Sequence, residues 1–140
     1  MSSAYPETLG ALRSHMTQHL AGVAVTEASA KADWWLAEHL GIAPSQLPDH
    51  ATRDLSPALA VTWPEALARL ARHEPLAHVI GHVPFHDLTL RSDTRALVPR
   101  PETEDLVARL LTDERWWNAH ARTVVDIGTG SGCIALALAQ

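Results

Sequence analysis

The stretch Val124–Ala135, which reads VVDIGTGSGCIA, decides the fold of this chain. A β-branched run leads to Asp126, glycines alternate at positions 128, 130 and 132, and the chain then restarts as an apolar, alanine-rich segment. This order predicts a strand, a tight loop and a helix. It is typical of the first βα unit of a doubly wound (Rossmann-like) α/β sheet, where ligands bind beyond the carboxyl ends of the strands. The glycines permit positive φ angles and remove the Cβ atoms that would keep a ligand off the backbone.

The spacing of the small residues separates two ligand classes. The dinucleotide fingerprint G-x-G-x-x-G/A read from Gly128 would need its third small residue at Cys133, a poor match. Read from Gly130, it ends on Ala135 and matches formally, but it leaves Asp126 unexplained. The whole run D-I-G-T-G-S-G resembles motif I of S-adenosylmethionine (SAM) methyltransferases, in which the turn lies along the methionine and ribose of the cofactor. A nicotinamide or flavin oxidoreductase and a turn without a ligand are the alternatives.

Composition excludes several classes of protein. The 140 residues contain one cysteine, which excludes a disulfide framework and favours a reducing compartment. The formal charge is −5 and no basic run is present, which argues against a duplex nucleic-acid binder. The first residues lack the pattern of a signal peptide, and no apolar run approaches the roughly 18 residues of a membrane span. We therefore expect a cytoplasmic protein without direct nucleic-acid or membrane partners. A monomer is expected as well, although nothing in the composition determines the oligomeric state.

The first part of the chain is predicted to be a small helical domain, residues 1–73. Apolar residues at helical spacing, with proline, threonine and glycine near the ends, predict helices over residues 6–21, 26–40 and 63–73. Pro6 suits the first position of the first helix. Thr26 suits the N-cap of the second, and Trp63 and Pro64 are predicted to open the third. A single core of this size is marginal by itself.

The rest of the chain is predicted to be a linker followed by the beginning of a second domain. Residues 74–98 carry short apolar stretches broken by glycine and proline, and they predict a hairpin or extended linker. Residues 99–140 would begin a SAM-binding domain, with a helix over 101–111 and a strand over 122–127. One parallel strand leaves its apolar faces uncovered, so we expect the chain to be the N-terminal part of a longer protein.

Nine histidines raise the question of a metal site. His78, His82 and His86 are spaced four apart, as are His15 and His19, and on one helix such pairs could ligate zinc. Glycine and proline interrupt the first set, and neither set follows an H-E-x-x-H pattern. The sequence favours surface or locally bonded histidines, and no metal ligand is assigned.

Two tryptophan pairs, Trp34-Trp35 and Trp116-Trp117, could stack on nucleobases. Adjacent residues of a helix do not share a face. The sequence therefore favours one buried and one more exposed tryptophan in each pair. In the second helix, the spacing places Trp35 on the buried stripe with Ala28, Ala32, Leu36 and Leu40.

Three strings together indicate a family. They follow one another in the order and spacing of the release-factor glutamine methyltransferases (PrmC/HemK type), which the chain resembles: Glu74-Pro75-Leu76-Ala77-His78-Val79-Ile80-Gly81 with Phe85, then Val98-Pro99-Arg100-Pro101-Glu102-Thr103-Glu104, then Asp126 to Ala135. The likeness is close over residues 74–135. Residues 1–73 match only as a small helical domain in the corresponding place.

The resemblance implies a reaction and a set of residues. Members of this family transfer a methyl group from SAM to the side-chain amide nitrogen of the glutamine in the Gly-Gly-Gln motif of class I peptide chain release factors. Their N-terminal helical domain helps to bind the release factor, and a hairpin joins it to the SAM domain. By this likeness the cofactor would be held by Gly128, Thr129, Gly130, Ser131 and Gly132, with Asp126, Leu97, Glu102 and Thr103 nearby.

The family's catalytic Asn-Pro-Pro-Tyr motif is absent from residues 1–140. No catalytic residue is therefore assigned, and residues 1–140 alone are expected to be an inactive fragment. Two alternatives stay open: a SAM methyltransferase acting on another substrate, and a non-catalytic module that binds a release factor.

Overall fold

The computed structural model describes residues 5–113, 115 and 123–140. The chain forms two compact units, Met1–Val79 and Ile80–Gln140. The described residues are mainly helical, with one two-stranded antiparallel sheet. No helix in this part of the chain is long and apolar enough to cross a membrane.

The first unit is helical, as the sequence predicts. Its elements are α1 (Leu9–Gly22), α2 (Ala28–Leu40), a 3-10 helix (Pro44–His50), α3 (Pro57–Ala71) and the start of α4 (Leu76–Ile80). Gly41 ends α2 with a φ angle of 65°, a left-handed conformation that glycine adopts at little cost.

Two helices begin elsewhere than the sequence predicts, because short polar side chains cap them. The hydroxyl of Thr8 accepts a hydrogen bond from the backbone N–H of Ala11 (3.3 Å), so α1 begins at Leu9 and not at Pro6. The hydroxyl of Ser56 accepts one from the N–H of Leu59 (3.2 Å) and α3 begins at Pro57, not at Trp63. Such caps satisfy N–H groups that the helix leaves unpaired.

Two further details of the helical prediction are wrong. Pro64 lies inside α3 rather than at its start. The residue before α2 is Glu27, with a φ angle of 56° and no capping side-chain bond, so Thr26 is not the N-cap. Leu59 and Leu67, on either side of Pro64 in α3, are both buried in the core.

Apolar side chains from α1, α2, the 3-10 helix and α3 form the core of the first unit. Trp35 is 1% exposed, whereas its neighbour Trp34 is 57% exposed. The expected division of this tryptophan pair is confirmed; Trp116 and Trp117 lie outside the described residues. The other buried members include Leu12, Met16, Leu20, Leu36, Leu47, Leu59, Trp63, Leu67 and Leu70.

An ion pair ties the end of α3 to the segment after it. Arg69 Nε donates to Glu74 Oε2 (2.8 Å), and Arg69 Nη2 donates to the carbonyl oxygen of His78 (2.9 Å). This pairing lowers the pKa of Glu74 below its usual value of 4.5. One guanidinium thus joins α3, Glu74 and α4, which gives the Glu74–Gly81 string a structural role.

We expect Glu74→Gln to lower the free energy of unfolding at pH 7 by less than about 1 kcal/mol, since the pair is partly exposed. Because the folded pKa of Glu74 lies below its unfolded pKa, its contribution is complete above the unfolded value and is lost as pH falls through the folded one. The deficit should therefore shrink between pH 7 and pH 3 in urea titrations. Asp49→Asn, at an exposed position without an ion pair among the described residues, is the control. A deficit of constant size across this range would contradict the assignment.

The second unit contains the expected hairpin. Strand β1 (His82–Phe85) pairs antiparallel with β2 (Leu88–Arg91), with Phe85 opposite Leu88 across a two-residue turn. Residues 76–80 ahead of it are helical rather than extended. The unit also contains α5 (Pro101–Thr112) and α6 (Cys133–Leu138). Pro101 occupies the first turn of α5, as predicted.

The hairpin, α5 and α6 share one apolar cluster. Its buried members are Phe85, Leu90, Val107, Cys133 and Ala137. Each of these elements contributes at least one side chain. The hairpin therefore packs with α5, which begins within the Val98–Glu104 string, and with α6, which follows the glycine turn. Cys133 is a buried free thiol.

Candidate cofactor-binding site

The glycine turn has the backbone geometry that the sequence predicts. The φ angles of Gly128, Gly130 and Gly132 are +77°, +56° and +78°. The N–H of Gly132 donates to the carbonyl oxygen of Thr129 (2.8 Å) and closes the turn directly before α6. Side chains with a Cβ rarely adopt such angles, so the alternating glycines are a requirement of this turn.

The space beside the turn is open. A Cβ atom on Gly128 would meet no heavy atom within 4 Å, and one on Gly130 would meet only the carbonyl oxygen of Gly128, at 4.0 Å. A Cβ atom on Gly132 would lie 3.6 Å from a methyl group of Leu136. Crowding within the protein therefore does not demand glycine at the first two positions, and a ligand has access to the backbone there.

Asp126 supplies the second polar feature of the turn. Its Oδ2 atom is buried and has no hydrogen-bond partner among the described residues. A buried acceptor without a partner is costly, and it can accept a hydrogen bond from a hydroxyl or amino group of a ligand. An open glycine turn beside an unpaired carboxylate oxygen fits a small molecule that carries such donors, as SAM does.

The predicted strand before the turn is wrong for the residues that the structure describes. Residues 123–126 form no strand, and residue 122 lies outside the described part. Val124, Val125 and Ile127 are 54%, 75% and 91% exposed. A strand needs a hydrogen-bonded neighbour, and none of the described residues provides one here. The Rossmann-like sheet is accordingly not seen among the described residues.

The second string of candidate residues lies around the start of α5. Leu97 is 76% exposed, Glu102 is exposed and Thr103 is half-buried. The N–H of Thr103 donates to the carbonyl oxygen of Arg100 (2.9 Å). Within the described residues, no hydrogen bond joins these three side chains to the glycine turn. The structure brings α5 and α6 together through the apolar cluster.

Glu104 has a role that the sequence alone did not assign. Its Oε2 atom accepts a hydrogen bond from the backbone N–H of His86 (3.1 Å) in the hairpin turn, where His86 has a φ angle of 52°. One turn further along α5, Val107 is fully buried in the same cluster as Phe85. The helix that carries Glu102 and Thr103 is thus fixed to the hairpin by a polar contact and an apolar one. From the sequence alone, Glu104 indicates only a favourable negative charge in the first turn of α5, near the positive end of the helix dipole.

The three evenly spaced histidines do not share a helix. His78 lies in α4, His82 begins β1 and His86 lies in the turn. Nowhere in residues 5–113, 115 and 123–140 do three or more side chains of the metal-ligating types come together.

The chain is similar to proteins of known family. The model of the family described as "PrmC N-terminal domain" matches residues 11–81. The release factor glutamine methyltransferase of Streptococcus pneumoniae is 50% identical over 72 residues, which are 51% of this chain and 25% of that protein. The protein of the same name from Cereibacter sphaeroides is 35% identical over 119 residues, which are 85% of this chain and 41% of that protein.

The relative from Geobacter sulfurreducens, also called release factor glutamine methyltransferase, is 34% identical over 122 residues. That alignment covers 87% of this chain and 42% of the relative, so the chain spans less than half the length of these relatives. The match to the N-terminal domain model covers half of the chain, and the resemblance inferred from the three sequence strings is confirmed by these relatives. The chain belongs to the release factor glutamine methyltransferase (PrmC) family, of which it carries the N-terminal domain.

Proposed function

We propose that this chain provides the N-terminal domain and the first part of the cofactor site of an enzyme that methylates class I peptide chain release factors. The reaction transfers a methyl group from SAM to the side-chain amide nitrogen of the glutamine in the Gly-Gly-Gln motif. The relatives are methyltransferases named for a release-factor glutamine. The observation that carries the proposal is the open, positive-φ glycine turn beside the unpaired oxygen of Asp126.

In this proposal the turn binds SAM through its backbone. Gly128 to Gly132 leave room for the methionine and ribose portions, and Asp126 accepts a hydrogen bond from one of their donors. Leu97, Glu102 and Thr103 close over the methionine end. The domain boundaries that go with this assignment are a release-factor-binding domain over residues 1–73, a linker over 74–98 and the start of the SAM domain over 99–140.

The reaction depends mainly on how the reacting atoms are positioned. An amide nitrogen is a weak nucleophile because its lone pair is delocalised, whereas the sulfonium of SAM is already electrophilic. Holding nitrogen, methyl carbon and sulfur in line therefore supplies much of the rate. No residue of this chain is assigned to that step, so we infer that residues 1–140 alone do not transfer the methyl group.

A chimera tests the proposal. Residues 1–140 are continued by the corresponding remainder of the Cereibacter sphaeroides relative, and the product is incubated with labelled SAM and a class I release factor. We expect label on the release factor, but not on a variant whose Gly-Gly-Gln glutamine is alanine, and no label with residues 1–140 alone. A chimera that is folded and binds the release factor, yet neither binds SAM nor methylates, would contradict the proposal. Methylation by residues 1–140 alone would place catalytic groups where none is assigned.

A non-catalytic release-factor-binding module is the second candidate. It is favoured by the family match, which ends at residue 81, and by the exposure of Val124, Val125 and Ile127. In that case residues 1–140 would capture a release factor, and the folded chimera would not bind SAM.

A further inference from the structure

His15 and His19 form a pair on the exposed face of α1. Residues four apart on a helix are neighbours on its surface. Their imidazole rings are stacked, with centroids 6.4 Å apart and an angle of 22° between the planes. Both residues are exposed, so a small ion can reach the space between them without any rearrangement of the core.

The ring nitrogens of this pair are available. Across the described residues, neither imidazole has a hydrogen-bond or ion-pair partner. Other histidines differ: the Nδ1 atom of His39 lies 2.9 Å from the carbonyl oxygen of Trp35, and that of His86 lies 3.2 Å from Asp87 Oδ2. The ring of His15 is also held edge-on by Trp63, at a centroid separation of 5.3 Å. This contact limits the rotation of one of the two rings.

The geometry suits chelation. Two imidazoles at bonds of about 2.0–2.1 Å have their ligating nitrogens about 3.3 Å apart on a tetrahedral ion such as Zn²⁺. On adjacent positions of a tetragonal Ni²⁺ or Cu²⁺ ion the nitrogens are about 2.9 Å apart. The rings reach either separation when the exposed His19 side chain changes rotamer about χ1 and χ2 and turns toward His15, whose ring stays against Trp63. Once one imidazole has bound, the second binds intramolecularly and at high effective concentration.

We propose that His15 and His19 form a two-histidine site for a late first-row divalent ion, Zn²⁺, Ni²⁺ or Cu²⁺. Imidazole nitrogen favours these ions over Mg²⁺ and Ca²⁺, which prefer oxygen ligands. Water completes the coordination, because the described residues bring no third metal-ligating side chain to the pair. The site lies in α1, in the first compact unit, and does not depend on the proposed methyl transfer.

The test is a titration of the 140-residue chain with Ni²⁺ and, separately, with Cu²⁺. Calorimetry measures the affinity, and nuclear magnetic resonance monitors the paramagnetic broadening of the Trp63 indole N–H signal. We expect one equivalent to bind, more tightly for Cu²⁺, with early broadening of that resonance because His15 lies against Trp63. His19→Asn should weaken binding at least about tenfold. His50→Asn, which changes a histidine on the 3-10 helix, should leave the affinity unchanged.

Two further variants, which move the second histidine to another position of α1, test whether the spacing of the histidines or only their number determines binding. Ala11→His in the His19→Asn background restores a spacing of four on the exposed face of α1 and should restore tight binding. Ala21→His in the same background restores the histidine count at a spacing of six, on a different face, and should not. Circular dichroism checks that each variant is folded. One-to-one binding that His19→Asn leaves unchanged, or equal recovery in both relocation variants, would overturn the proposal.

Discussion

Replacing Trp35 by alanine should lower the free energy of unfolding of the first unit by about 3–5 kcal/mol, the range for truncating a large buried side chain. Trp35 is 1% exposed, and its side chain extends from α2 into the core of the first unit. Its ring also contacts the imidazole of His39, with centroids 4.1 Å apart and an angle of 36° between the ring planes. For a unit of this size, such a loss should lower the melting temperature by more than about 10 °C.

Trp34→Ala is the matched control. The two residues are adjacent in the same helix and of the same type, but Trp34 is 57% exposed. Its truncation should change stability by no more than about 0.5 kcal/mol. Thermal melts by far-ultraviolet circular dichroism measure both variants, and Trp35→Phe should recover part of the loss. Equal effects of the two alanine variants would contradict the assigned burial.

Replacing Gly130 by valine in the chimera described above should weaken SAM binding by at least tenfold. The φ angle of Gly130 is +56°, which a β-branched residue adopts only with strain. The valine side chain would also fill the open space in which the proposal places the cofactor. Calorimetry with SAM measures the change.

Gly22→Val is the control for this variant. Gly22 ends α1 with an ordinary φ angle, and a Cβ atom there would meet nothing within 4 Å. This substitution should leave SAM affinity unchanged. If Gly130→Val also leaves it unchanged while the chimera stays folded, the glycine turn is not part of the cofactor site.

Much of the local structure was predictable because local chemistry determines it. Apolar residues at a spacing of three or four predict α1 and α2, and proline predicts the start of α5. Short apolar runs broken by glycine and proline predict the hairpin. The helix starts were harder to predict. Thr8 and Ser56 cap α1 and α3. The sequence alone does not distinguish a serine or threonine that caps a helix from one that lies in a loop.

The candidate site was predicted in part. The positive φ angles at Gly128, Gly130 and Gly132 follow from the absence of side chains, and the structure contains them. The strand over residues 122–127 was predicted from β-branched composition and is not formed in the described residues. Composition indicates which residues suit a strand, but pairing depends on a neighbouring strand that composition does not supply.

The sequence by itself determined the family, the helical character of the first unit, the hairpin and the glycine turn. Each of these depends on residue types at short spacing, where steric and hydrogen-bonding preferences act within one turn of chain. Helical spacing also determined that Trp35 is the buried member of its tryptophan pair. Only the tertiary structure decided that Arg69 joins Glu74 to His78, and that Glu104 holds the hairpin turn at His86. Burial and contacts between separate elements depend on how helices and strands pack, because the free energy of packing belongs to the assembled core and not to any local segment.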